Sequence, residues 1–150
     1  MRRRAERLEQ RFDDAFWADD LGTYVLALDE TKRACRVRTS NAGHALFGGI
    51  ARPERAAALA TTLLGDDAYS GWGIRTVAVP EVRYNPMAYH NGSVWPHDNA
   101  LIAWGFSRYG LKDAALKVLT GFFESSLFLE LRRLPELFCG FPRRPGEGPT

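Results

Sequence analysis

The spacing of apolar residues predicts a mainly α chain of paired helices with one short β-hairpin. Two stretches, 53–64 and 111–122, place apolar residues on one helical face. Each follows another helical stretch closely, and a connection as short as the one at Gly110 makes its two helices antiparallel neighbours. Strand-like segments around a polar turn occur once, near Asp29. No fixed-length sequence repeat is present; the repetition lies in the helix pairs.

Residues 5–18 read as the first helix, with Leu8, Phe12, Ala15 and Phe16 on one face, ended by Asp19-Asp20-Leu21-Gly22. Residues 24–28 and 34–38 then flank Asp29-Glu30-Thr31-Lys32 as the hairpin. Ser40 or Asn41 suits the cap of a helix through Ala42 to Ile50. Pro53 suits the first turn of the next helix, whose buried side is Ala56, Ala57, Leu59, Ala60, Leu63 and Leu64. Gly65-Asp66-Asp67 stops it. Residues 68–97 break every regular period with Gly71, Gly73, Pro80, Pro86, Gly92 and Pro96. A loop this long inside a small domain is usually functional. Asp98 or Asn99 is the expected cap of a helix to Tyr109, and Gly110 closes it in a left-handed turn. Leu111, Ala115, Val118, Leu119 and Phe122 form the stripe of the last helix. Leu134-Pro135 forces an extended step, and residues 140–150 are rich in Gly, Pro and Arg.

Composition fits this architecture. The chain has 150 residues, 45% hydrophobic and 25% charged, which suits a single globular domain with no separate second one. A net charge of +2, spread evenly, gives no reason to expect nucleic acid or a membrane surface as partner. Arg2-Arg3-Arg4 reads as a solvated helix start. No apolar run approaches the ~18 residues of a membrane span, and no apolar segment follows the arginines as in a secretory signal. Cys35 and Cys139 are expected to be two buried free thiols in a reducing cytosol, so the expected location is cytoplasmic.

Chemistry-bearing residues concentrate in the loop. Phosphate loops, Gly-x-Ser-x-Gly elbows and zinc spacings are missing, so neither metal nor organic cofactor is implied. Residues 89–99, from Tyr89 through His90, Asn91, Trp95 and His97 to Asp98 and Asn99, combine aromatic platforms with amide, imidazole and carboxylate groups. Saccharides, with apolar C–H faces and hydroxyl edges, need that combination. The same stretch also reads as a packed loop with Trp95 in the core and Asp98 as a cap. Glu136, in Arg133-Leu134-Pro135-Glu136-Leu137-Phe138-Cys139-Gly140-Phe141, is either exposed by a turn or held in a pocket, where burial would raise its pKa and suit acid–base work; taken alone it reads as an ordinary helix-start residue.

Five segments carry a resemblance: Ser40–His44, Ser70–Thr76, Tyr84-Asn85-Pro86, Tyr89–Asn99 and Arg133–Phe141. Together they are similar to the C-terminal half of bacterial amylo-alpha-1,6-glucosidases, the glycogen-debranching type within the six-hairpin glycosidases. The resemblance runs in order over nearly the whole chain. It implies part of an (α/α)6 toroid and an inverting hydrolase of α-glucosidic linkages, in which one carboxyl protonates the leaving oxygen and another activates water. By the same resemblance Glu136 is the general base. Trp95, His97 and Asp98 line the sugar pocket, Trp72 and Arg75 lie on its rim, and His90 and Asn91 join it more weakly. The implied substrate is an α-glucan or oligosaccharide.

The family's general acid is an aspartate well upstream of the matching region, and here no aspartate precedes Phe12. About six helices are visible where a toroid has twelve. The chain is therefore expected to be a C-terminal fragment of the hydrolase, weakly active or inactive alone. The competing expectations are a noncatalytic saccharide-binding remnant and a helical scaffold that binds a protein. The open edge of an incomplete toroid is expected to expose an apolar patch and to favour self-association.

Overall fold

A computed structural model describes residues 2–150. Helix α1 (Arg2–Phe16) leads into strand β1 (Trp17–Ala18), which pairs antiparallel with β2 (Thr23–Tyr24). A second small pair joins β3 (Ala27–Leu28) to β4 (Ala34–Cys35). A 3-10 turn (Ser40–Gly43) runs into α2 (His44–Gly48), and α3 (Pro53–Leu64) follows. After the long loop come α4 (Pro96–Arg108), α5 (Lys112–Ser126) and a 3-10 turn (Glu130–Arg132). The fold is mainly helical, as expected, with two strand pairs where one hairpin was anticipated.

Helix α1 differs from its predicted span and face. Its last two expected residues, Trp17 and Ala18, leave the helix to pair with β2. Leu8 and Ala15 are exposed, whereas Asp13 is buried. The reason is electrostatic: Asp13 lies 3.3 Å from Arg52 and 3.6 Å from Arg55, and the Tyr24 hydroxyl donates to it at 3.2 Å. A buried carboxylate is tolerated only with such partners. Phe12 stacks on Phe16 and packs against Tyr24 on the same side.

Helix α3 starts at Pro53 and ends at Leu64, as its pattern predicts, although Ala57 is exposed and Leu64 only half-buried. The anticipated helix 42–50 is shorter, and no side chain caps it. Asp98 and Asn99 do not cap α4 either. That helix begins at Pro96, whose ring presets the helical φ and whose missing N–H needs no partner at the first position. Gly110 takes φ +76° after Tyr109, as expected, and α5 turns back against α4. Leu119, expected inside, is exposed. It lies with Leu116, Phe123 and Leu127 along one side of α5.

The core is formed by Leu46, Leu59, Ile74, Val94, Ile102, Phe106 and Val118, all fully buried. Close approach of α2 to α4 needs small residues. A Cβ on Gly43 would come within 2.7 Å of Ile102 Cγ1, and one on Gly105 within 2.7 Å of Phe47 N. Cys35 and Cys139 are free, as anticipated, but half-buried, because each lies on a peripheral extended segment. Among the described residues no helix is long and apolar enough to cross a membrane.

The loop is tied down by one fully buried side chain, Asn99. Its Oδ1 accepts from Ile74 N at 2.6 Å, while Nδ2 donates to Ile74 O at 2.9 Å and to Trp95 O at 3.0 Å. Removing this amide leaves both polar groups of Ile74 without a partner, at about 1–3 kcal/mol for each unsatisfied buried group. Asn99→Ala is therefore expected to lower folding stability by roughly 2–5 kcal/mol. Urea unfolding followed by circular dichroism measures this; an unchanged midpoint would show that the loop is held by other contacts.

Candidate active site

The first turn of α4 and the loop before it place five aromatic or ionisable residues together. Trp95 is the centre. Its indole N–H donates to Ser93 Oγ at 2.9 Å and to Tyr89 O at 3.1 Å, which fixes the ring plane. His90 stacks parallel to it, with centroids 5.8 Å apart and 6° between planes. Tyr89 meets the indole edge to face at 4.7 Å, and His97 does so at 5.6 Å. Trp95, His90, His97, Asp98, Ser40, Asn41 and Thr76 line an open cavity of about 200 Å³. Trp95 is thus half-buried beside a cavity rather than packed in the core.

Asp98 enters this cavity from the first turn of α4, where the helix N–H dipoles favour a negative charge. In place of the expected cap, its Oδ1 meets His44 Nε2 at 2.5 Å, across from α2. That hydrogen bond raises the pKa of His44 above its ordinary value, against the opposing effect of burial.

Glu136 is exposed and lies in a bend, neither in a helix start nor in a pocket, because the chain between Arg133 and Leu137 has no regular structure. Its Oε1 accepts from the Tyr89 hydroxyl at 2.7 Å. This bond, more than burial, orients the carboxylate, and it raises the pKa of Tyr89. Tyr89 therefore connects Glu136 to the Trp95–His90 stack. Just beyond Glu136 the chain is anchored. Phe138 bridges Val94 with reciprocal backbone bonds of 2.9 and 3.0 Å. The carbonyl of Gly140 accepts from Arg75 Nε at 2.6 Å and from the Tyr84 hydroxyl at 3.0 Å.

Besides Glu136, three of the anticipated residues lie outside the cavity lining. Arg75 is buried beneath the loop, donating to the carbonyls of Gly140 and Asp66, and burial lowers its pKa. Trp72 is also buried. It packs edge to face on Phe128 at 5.9 Å and lies under the Arg143 guanidinium at 4.3 Å. Asn91 is exposed, and its backbone carbonyl accepts from Asn85 N. Conversely, the sequence placed Tyr89 only within the aromatic stretch and His44 only within a matching segment, without naming either as a site residue. Tyr89 was visible in the aromatic stretch, but its partner is 47 residues away. His44 and Asp98 are 54 apart, so no local pattern joins them.

Asp13, the most buried carboxylate, is held by two arginines and a tyrosine away from this cavity. Among the described residues no group of three or more His, Cys, Asp or Glu side chains is placed to hold a metal ion.

Residues 1–128 match the model of the mannosylglycerate hydrolase MGH1-like glycoside hydrolase domain. No curated protein matches. Among solved structures, a GH63 mannosylglycerate hydrolase from Thermus thermophilus in complex with Tris is 23% identical with a TM-score of 0.70, covering 90% of this chain and 32% of that one. An uncharacterized conserved protein from the same organism is 22% identical with a TM-score of 0.68, covering 85% and 32%. A structure described as a sialidase is 12% identical with a TM-score of 0.75, covering 92% and 14%. These likenesses show a shared fold: the GH63 neighbours are helical-hairpin toroid enzymes, and this chain spans about one third of their length. By its family match and its fold, the chain belongs to the mannosylglycerate hydrolase MGH1-like glycoside hydrolases.

Proposed function

We propose that these residues form the general-base side and part of the sugar pocket of an inverting α-glycosidase. The observation that carries this reading is the Tyr89–Glu136 bond, which sets a carboxylate beside an aromatic platform. Glu136 takes a proton from the attacking water. Tyr89 holds that carboxylate in place. Trp95, stacked with His90, offers its face to the sugar ring, and His97 and Asp98 bind hydroxyls. Arg75 and Trp72 act from beneath, as the framework for the segments on either side of the cavity.

The reaction needs a second carboxyl to protonate the leaving oxygen, and in the resemblance noted above it lies upstream of this stretch. Residues 1–150 form a partial toroid domain in this reading, competent to bind saccharide and weak or inactive in turnover. The substrate is an α-glycoside. An α-glucan of the debranching type follows from the amylo-alpha-1,6-glucosidase resemblance, and a small glycoside of the mannosylglycerate kind follows from the family match. No metal or organic cofactor takes part in this scheme.

On the native polypeptide isolated from its source cells, Glu136→Gln is expected to lower turnover by about 10²–10⁴-fold while leaving saccharide affinity nearly unchanged. Sugar release and binding isotherms are the two measurements; retained turnover would remove Glu136 from the base role. Trp95→Ala is expected to weaken glucose binding by about tenfold, the loss of one aromatic platform. Unchanged affinity would place the sugar elsewhere. The exposed side of α5, with Leu116, Leu119, Phe123 and Leu127, would drive self-association of the 150-residue chain. Light scattering reads this directly, and a clean monomer at high concentration would contradict it.

A further inference from the structure

Among the described residues, Asp98 has one hydrogen-bond partner for its side chain, the His44 ring. Its Oδ2 is buried without any. The carboxylate sits in the first turn of α4, where the N–H groups of His97 and Asp98 have no carbonyl four residues back within the helix. A carboxylate there ordinarily turns to such N–H groups. Asp98 instead reaches across to α2, and the one bond that takes it there is the 2.5 Å contact with His44 Nε2.

Packing sets that reach. His44 opens α2 directly after Gly43, and α2 lies against α4. A Cβ on Gly43 or on Gly105 would meet the facing helix at 2.7 Å, so the two backbones are held in close contact. Leu46 and Ile102 are fully buried between them. The His44 ring therefore spans a fixed gap to Asp98. Exposure within the pair is unequal: the His44 side chain is 41% exposed and that of Asp98 14%. The ring exchanges protons with water while its partner is sheltered, so the charge of the imidazole decides the state of the pair.

Two states follow. The charged ring donates to the carboxylate as an ion pair. The neutral ring keeps the bond through its Nε2–H tautomer but loses the charge, which makes the bond roughly half as strong. The bond itself favours the charged ring, so the ion-paired state persists to a pH above the ordinary value for His44 and is lost as pH rises further. Other titratable groups nearby are few. His97 comes from α4 and His90 from the loop, both in the lining of the Trp95 cavity. Tyr24 comes from β2, with its hydroxyl turned to Asp13, and Arg108 on α4 is turned to the carbonyl of Phe47.

We propose that His44 is a positioning residue of the Trp95 cavity: it holds the Asp98 carboxylate in place between α2 and α4, and its protonation sets how firmly. This rests on the reading of that cavity as a saccharide site in which Asp98 binds hydroxyls. Sugar affinity is then highest while His44 is charged and falls as the ring loses its proton.

The test measures glucose affinity of the 150-residue chain against pH, in wild type, His44→Gln and His44→Ala, with folding checked by circular dichroism. Wild type is expected to bind about fivefold more weakly once His44 is neutral. The midpoint of that change is expected to coincide with the titration of the His44 ring signals in NMR spectra. His44→Ala, which frees the carboxylate, is expected to bind about tenfold more weakly than wild type at low pH. His44→Gln offers Asp98 an amide donor that does not titrate, so it is expected to restore most of that affinity and to lack the pH step. Any contribution of His90 or His97 persists in both variants, so only the step lost in His44→Gln belongs to His44. If His44→Ala does not fold, the His44→Gln profile decides alone. Wild-type affinity in a folded His44→Ala at every pH, or a step that survives in His44→Gln, would overturn the role of His44 and leave the Trp95 cavity standing as a sugar site. Failure of wild type to bind glucose at any pH would overturn both.

Discussion

The arrangement depends on the amide of Asn99. A side-chain amide has one acceptor and one paired donor group, and here both are used against the backbone of a single residue, Ile74. The effect is that of one rung of a β-ladder made between a helix and a loop. The loop contributes a buried N–H and C=O that no neighbouring strand could satisfy, and the helix supplies the missing partner. With Ile74 fixed, Arg75 bridges Val94 and Val94 bridges Phe138, so three distant extended segments lie side by side. Glu136 lies just before the last of these segments.

Three carboxylates show how environment divides roles among identical groups. Asp13 is enclosed between two guanidinium groups and a phenol, and its charge serves to join α1 to α3. Asp98 is partly enclosed and faces one imidazole. Glu136 stands at the surface with a single phenol beside it. Only the last combines access to water with a fixed orientation, which is what a base acting on water requires.

Much of the helical framework was legible because its cause is local. The stripes of α3 and α5 follow from burial of one face, and Pro53 and Gly110 act through their own backbone preferences. The irregular loop was legible for the same reason. What escaped was set by distant partners. Asp13 reads as part of a polar face until Arg52 and Arg55 are brought to it. Trp17 and Ala18 continue a helical pattern until β2 offers them a ladder. Asp98 and Asn99 look like caps, the usual fate of such residues before a helix, but Pro96 already starts α4 and releases both for longer-range bonds. Trp72 looks like a binding aromatic because tryptophan in a loop so often is one; Arg143, distant in the chain, covers its face. The glycosidase type was readable from the motifs, but the narrower family was not: the motifs resemble amylo-alpha-1,6-glucosidases, whereas the family match is to the MGH1-like domain.

The Tyr89–Glu136 bond spans 47 residues, His44–Asp98 spans 54 and Arg75–Gly140 spans 65. Contacts that close such long stretches of chain lose ordering entropy before they gain anything, and so they form slowly. The α4–α5 hairpin, by contrast, needs only its own short turn. The order of assembly is then helices first and chemistry last. During synthesis the residues of the Trp95–His90 stack emerge well before Glu136, so the aromatic stack precedes the carboxylate that Tyr89 later joins to it.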